Sequence, residues 1–87
     1  MEQRPKRNAV GAQIRRLRNA HDMTQEMLVA RCNVIGCNIT RGTLAKIEAQ
    51  IRGVSDIELF TIAKSFRVEM SDLFPKNFAA VLKAEGR

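Results

Sequence analysis

Eighty-seven residues with 45% hydrophobic content close one modest core and not two, and that apolar share excludes a disordered tail. With no Trp, no Tyr and few alternating β-branched runs, strand signals are nearly absent, so an all-α bundle with an aliphatic core is expected. A net charge of +6 draws a polyanion, nucleic acid before an anionic membrane, unless the charge serves solubility alone.

Residues 1–8 read as a basic arm carrying Arg4, Lys6 and Arg7. A first helix is expected from about Ala9 to Ala20, capped by Asn8, with Val10, Ile14 and Leu17 on one face. Three further helix starts share one pattern, in which an apolar residue precedes a Thr or Ser cap and a Leu follows four positions later. They are Met23-Thr24 with Leu28, Ile39-Thr40 with Leu44, and Val54-Ser55 with Leu59. In each, the hydroxyl accepts an orphan backbone N–H while the two apolar side chains form a hydrophobic staple. Glu58, three residues after Ser55, completes a capping box.

These starts place a second helix from Thr24 to near Gly36, whose glycine suits a left-handed terminus. A third is expected from Arg41 to about Gln50, stopping before Gly53. A fourth spans Asp56 to Phe66, burying Leu59, Ile62, Ala63 and Phe66 as one stripe. Met70, Leu73 and Phe74 predict a fifth, short turn of helix ended by Pro75, so the domain covers residues 9–75. The C-terminal tail, 76–87, carries Phe78, Val81 and Leu82 at helical spacing, a stripe that either folds back on the domain or pairs with a second copy.

Two opposite charges fall on core-facing stripes. Leu44, Ile47 and Ile51 define the inward face of the third helix and carry Glu48 with them, as Ile14 and Leu17 of the first helix carry Arg18. An isolated buried charge is expensive, so Arg18 and Glu48 are expected to meet as a structural ion pair, and removing one partner should cost about 3–5 kcal/mol.

The outward face of the third helix collects Arg41, Gly42, Thr43, Ala45 and Lys46 near its N-terminus. A helix enters the major groove only if its exposed face is slim and rich in donors, and these residue types can read guanine and thymine edges there. The bare alternative is a solvated helix face. Gln25, directly after the Thr24 cap, sits where free N–H groups favour an anion, and Arg52 lies just beyond the third helix. Lys6 and Arg7 of the arm suit a groove or its phosphates. Arg15 and Arg16 read equally well as ordinary solvated residues. The charge is concentrated where these residues are: positions 1 to 53 hold ten Lys or Arg against four acids, and positions 54 to 87 hold five of each.

In these residues the chain resembles the phage-repressor family of helix-turn-helix domains, the group of Cro and the lambda repressor, also called XRE. The likeness runs over about residues 9–75, through Val10-Gly11, Ile14-Arg15, Leu17-Arg18, Met23-Thr24-Gln25-Glu26, Leu28, Ala30, Thr40 to Glu48, Ile62-Ala63-Lys64, Val68 and Leu73-Phe74. The resemblance implies a compact five-helix bundle whose second and third helices form the motif. It further implies Gln25 on backbone phosphate, Arg41, Gly42, Thr43 and Lys46 facing bases, a buried Arg18–Glu48 pair, and dimers that bind two-fold symmetric operators in double-stranded DNA, many of them repressors. Thr24 to Glu48 is about five residues longer than that family's usual spacing, and the extra length falls around Asn33 to Asn38, extending the second helix or the turn after it.

A transcriptional regulator is thus the leading expectation. The alternative is a protein-interaction module of the same fold, an antitoxin or adaptor that docks partners through the stripe from Phe78 to Leu82. A single His, no glycine-rich phosphate loop and no paired nucleophile and base leave an enzyme without machinery. Cys32, Cys37 and His21 match no zinc spacing, so neither a metal nor a cofactor is expected. The polar start and the lack of a long apolar run predict a cytoplasmic chain with reduced thiols and no membrane association.

Overall fold

The computed structural model describes residues 5–78. Over that range the chain forms four α-helices, α1 (Gly11–Ala20), α2 (Gln25–Ile35), α3 (Arg41–Glu48) and α4 (Asp56–Phe66), followed by a 3-10 turn at Met70–Leu73. No strand occurs among the described residues. α2 packs against both α3 and α4, α1 against α3, and the 3-10 turn closes on α4. Ile14, Leu28, Leu44, Ile47, Ile62 and Leu73 meet in the centre with no solvent exposure. Apolar burial of this kind is the main source of stability, because none of these short helices is stable alone in water.

Each expected cap is made. Thr24 Oγ1 accepts from the Met27 amide at 3.1 Å, Thr40 Oγ1 from Thr43 at 3.1 Å, and Ser55 Oγ from Glu58 at 3.1 Å. Glu58 returns the bond through Oε1 to the Ser55 amide at 2.9 Å, which closes the capping box. α2 ends at Gly36 with φ +117°, a left-handed terminus in which the Cys37 amide reaches back to the Cys32 carbonyl at 3.0 Å. The extra length between the caps is shared by helix and turn. α2 runs through Ile35, and the Asn33 amide laces the following turn by donating to the carbonyls of Val29 and Ile39 at 2.7 and 3.2 Å. Cys32 is fully buried against α4, 3.6 Å from Ser65 Oγ, and burial raises its thiol above the ordinary range.

Three expectations need correction. α1 starts at Gly11, not Ala9; Ala9 and Val10 precede it as a bend held by Asn8 Oδ1, which accepts from the Val10 and Gly11 amides at 3.0 and 2.8 Å. α3 ends at Glu48, not Gln50, and Ile51 is 54% exposed rather than inward. Gln50 adopts a left-handed φ of 61°, so the chain leaves the helical path before the stripe reaches Ile51. The fifth element, expected as a short turn of helix, is a single 3-10 turn, so the described residues hold four α-helices and that turn. Arg67 ends α4 at φ 59° and Phe74, ahead of Pro75, is extended at ψ 153°, so the segment between them holds only an i to i+3 turn. Phe78 packs on Phe74 with ring centroids 5.1 Å apart; Val81, Leu82 and Arg4 lie outside the described residues.

Two positions give stability tests. A methyl group at Gly11 would overlap the Ile47 carbonyl oxygen and stand 3.0 Å from that of Glu48, so α1 and α3 approach closely only because the residue has no side chain. Gly11→Ala is expected to destabilise the domain by about 1–3 kcal/mol through overpacking, read as a lower urea midpoint at an unchanged m-value. The second position is Glu58. The Arg52 guanidinium, backed by the Ser55 amide, holds its carboxyl below the ordinary value of 4.5. A lowered folded pKa adds stability that is present above that ordinary value and is lost as pH falls through the folded one. The melting-temperature gap between the wild type and Glu58→Gln should therefore be full at pH 6 and narrow as the buffer is taken below 4.5.

Candidate nucleic-acid interface

Leu44, Ile47 and Glu48 are the buried side of α3, and the Glu48 side chain has no solvent exposure. Arg18 of α1 donates to it in a fork, Nε to Oε2 at 2.8 Å and Nη2 to Oε1 at 3.0 Å, and uses Nη1 on the Met23 carbonyl at 2.8 Å. Those carboxylate bonds hold the Arg18 guanidinium above its ordinary range. One side chain thus ties the end of α1 to both the staple of α2 and the far end of α3. Gln25 joins the same carboxylate from the first turn of α2, donating Nε2 to Oε1 at 3.1 Å.

The opposite side of α3 is open. Arg41, Gly42 and Lys46 are exposed, while Thr43 and Ala45 are half-buried. The Arg41 side chain is 65% exposed and lies 3.5 Å from a Glu26 oxygen that is itself 71% exposed. A pair this open contributes little and releases Arg41 readily to a stronger anion. Thr43 accepts a hydroxyl bond from Thr40 at 3.2 Å, which fixes its side chain at the N-terminal edge of the face.

The flanking residues are placed less simply. Arg52 is turned onto Glu58, with Nη1 and Nη2 on its two oxygens at 2.9 and 3.0 Å, so the loop after α3 is fastened to the cap of α4. Lys6 and Arg7 are exposed, and the Arg7 amide donates to the Gln50 carbonyl at 2.9 Å, which lays the arm against the end of α3. Asn8 completes that seam by donating Nδ2 to the carbonyls of Ile47 and Arg52 at 3.0 and 2.8 Å. The structure brings Arg18, Gln25 and Glu48 into one cluster and keeps Arg41, Gly42 and Lys46 together on the free face.

Sequence reasoning passed over three of these features. Gly11 was visible only as a matching residue, with no local sign that a neighbouring helix needed its missing side chain. Asn8 was legible as a cap but not as a cross-link to α3. Arg15, read as solvated, brings Nε to 3.6 Å from Glu48 Oε1; its place three residues before Arg18, on the same helix face, was the available signal.

The arrangement is an eight-residue helix anchored from behind by aliphatic contacts and an ion pair, with a cationic front and a second capped helix across it. No helix among the described residues is long and apolar enough to cross a membrane, and no cluster of three metal-ligating side chains occurs among them. Residues 14–73 match the family model described as helix-turn-helix. The solved structure of the restriction-modification controller protein C.AhdI from Aeromonas hydrophila is similar at 26% identity and a TM-score of 0.67, over 76% of this chain and 92% of that one. No curated protein sequence matches the chain. The matched segment spans all of α2 and α3 and most of α1, and the chain belongs to the XRE-type helix-turn-helix family of DNA-binding transcription regulators.

Proposed function

We propose that this protein reads a specific sequence in double-stranded DNA by laying α3 in the major groove, and that it represses transcription from a two-fold symmetric operator as a homodimer in the cytoplasm. The observation that carries the reading is the division of α3. Its hydrophobic and acidic residues are consumed by the core, while Arg41, Gly42 and Lys46 remain on a slim exposed face at one end of the domain. In this reading Arg41 and Lys46 donate to guanine edges, Thr43 meets a thymine methyl or a base edge, and Gly42 keeps the backbone low enough for its neighbours to reach.

Phosphates fix the register. Gln25 holds one at the start of α2, Lys6 and Arg7 follow the strand past the end of α3, and Arg52 contributes the donors that Glu58 leaves over. Ile57 and Phe60, 68% and 51% exposed along α4, supply apolar surface for a second copy. Nothing in the reading calls for covalent chemistry or a cofactor. The fold is shared with a protein whose own description is that of a restriction-modification controller, which supports a regulatory role.

Selection of bound sequences from random duplex tests the reading, which requires an enriched two-fold motif and an affinity falling steeply with salt. Arg41→Ala or Lys46→Ala should relax the preference at one or two positions by about 1–3 kcal/mol each, whereas Gln25→Ala should weaken all sequences alike. Gly42→Ala separates function from folding. A methyl group there meets only Thr40 Oγ1 at 3.7 Å. The variant should therefore gain about 0.5 kcal/mol of stability in a urea melt yet bind the selected site more weakly. Loss of stability, or unchanged affinity, would remove Gly42 from the reading face.

A further inference from the structure

Glu48 faces more positive charge than it needs. The forked pair with Arg18 already balances the buried carboxylate, with Arg18's side chain 12% exposed and that of Glu48 not at all. Arg15, one turn earlier on α1, adds a second guanidinium whose Nε stands 3.6 Å from Glu48 Oε1. That separation is too long for a hydrogen bond, and the Arg15 side chain is 60% exposed. Gln25 donates to the same Oε1 from the other direction, out of α2. Arg15 and Gln25 thus approach one oxygen, Oε1, from different helices, beside the bond that it already accepts from Arg18, and no other acceptor among the described residues engages the side-chain N–H groups of either. Beside Arg15 the surface opens into a cleft of about 540 Å³ between α1 and the end of α3, edged by Arg16, Asn19 and Gln50.

Resting on the DNA-binding reading above, we propose that Arg15 and Gln25 grip a single backbone phosphodiester between them, with Glu48 as the strut that sets their spacing. Arg15 supplies the charge and Gln25 the neutral donor. Glu48 orients both without repelling the phosphate, because Arg18 has already neutralised it. The site is open to water, so a free anion gains too little there to be held. A phosphodiester already tethered by other contacts along the duplex is presented at high effective concentration and stays. The assignment gives Arg15 a role distinct from that of Arg18, which lies within the domain.

Binding of the full chain to random and to selected duplex, followed across a salt series, tests this. Arg15→Gln should weaken both duplexes by about tenfold at 0.1 M salt and reduce the slope of log affinity against log salt by about 0.9, the signature of one phosphate lost. Arg15→Lys should restore the slope but only part of the affinity, since it keeps the charge and loses the fork. The double variant Arg15→Gln with Gln25→Ala should lose less than the product of the two single effects, because both donors serve one acceptor. Lys76→Gln, at an exposed position after the 3-10 turn, should match the wild type, and Arg15→Gln should melt with it. If the wild type binds duplex and Arg15→Gln keeps its affinity within about twofold and its slope, the clamp is overturned while the reading above stands. A loss confined to one base sequence, or an equally large fall in melting temperature, also overturns it. A wild type that binds no duplex at any salt removes the reading and the clamp together.

Discussion

The domain turns on one buried carboxylate. Glu48 has no access to water, and a charge so placed is tolerable only when its oxygens are fully engaged. Arg18 and Gln25 engage them, one from α1 and the other from α2, so α1, α2 and α3 are referred to a single point. Aliphatic packing alone would hold α3 against the core but would let it rotate or slide by small amounts. Hydrogen bonds with fixed directions remove that freedom, because a shift of α3 would strand the carboxylate.

That constraint has particular weight because α3 is only eight residues long. A helix of this length does not persist alone, so its shape and its position both derive from what surrounds it. Thr40 caps one end, Asn8 and Arg7 fasten the other, and Gly11 allows α1 to approach within backbone contact of it. Arg52 and Glu58 then carry the chain away from the end of α3 into the cap of α4. The restraints on α3 come from its buried side and its two ends, while its front carries the loose Arg41–Glu26 pair and, at its edge, the Thr40–Thr43 bond.

Much of this was legible beforehand, for identifiable reasons. The three capped starts are local chemistry, with cap and staple residues within six positions and a box at the third, and each cap forms where its residues stand. The pairing of Arg18 with Glu48 followed from opposite charges on two apolar stripes, which periodicity exposes. Helix ends were harder. α3 stops because Gln50 takes a left-handed conformation, and glutamine carries no local mark of that, so the apolar pattern seemed to run on to Ile51. The last element fell short of an α-helix because two neighbouring terminators, Arg67 and Phe74 ahead of Pro75, leave too few residues, and only the second was readable. Contacts that depend on two distant segments were harder still: Gly11 on Ile47 had no local signature, and Arg15 on Glu48 had only the place of Arg15 three residues before Arg18.

The lengthened connection shows how the two kinds of constraint are separated. The residues after Cys32 continue α2 to Ile35, leave Val34 89% exposed, and are gathered by Asn33 into a turn that delivers Thr40 as a cap. From Asn33 to Asn38 this segment sets the path between the helices without entering the core, where Cys32 and Leu28 are fully buried. Since α3 is positioned by Glu48, Asn8 and Gly11, all of which act behind it or beyond its end, the route by which the chain arrives is nearly free to vary. The same reasoning applies to the front face. Side chains there carry little of the folding energy, so they can change while the fold that presents them stays as it is.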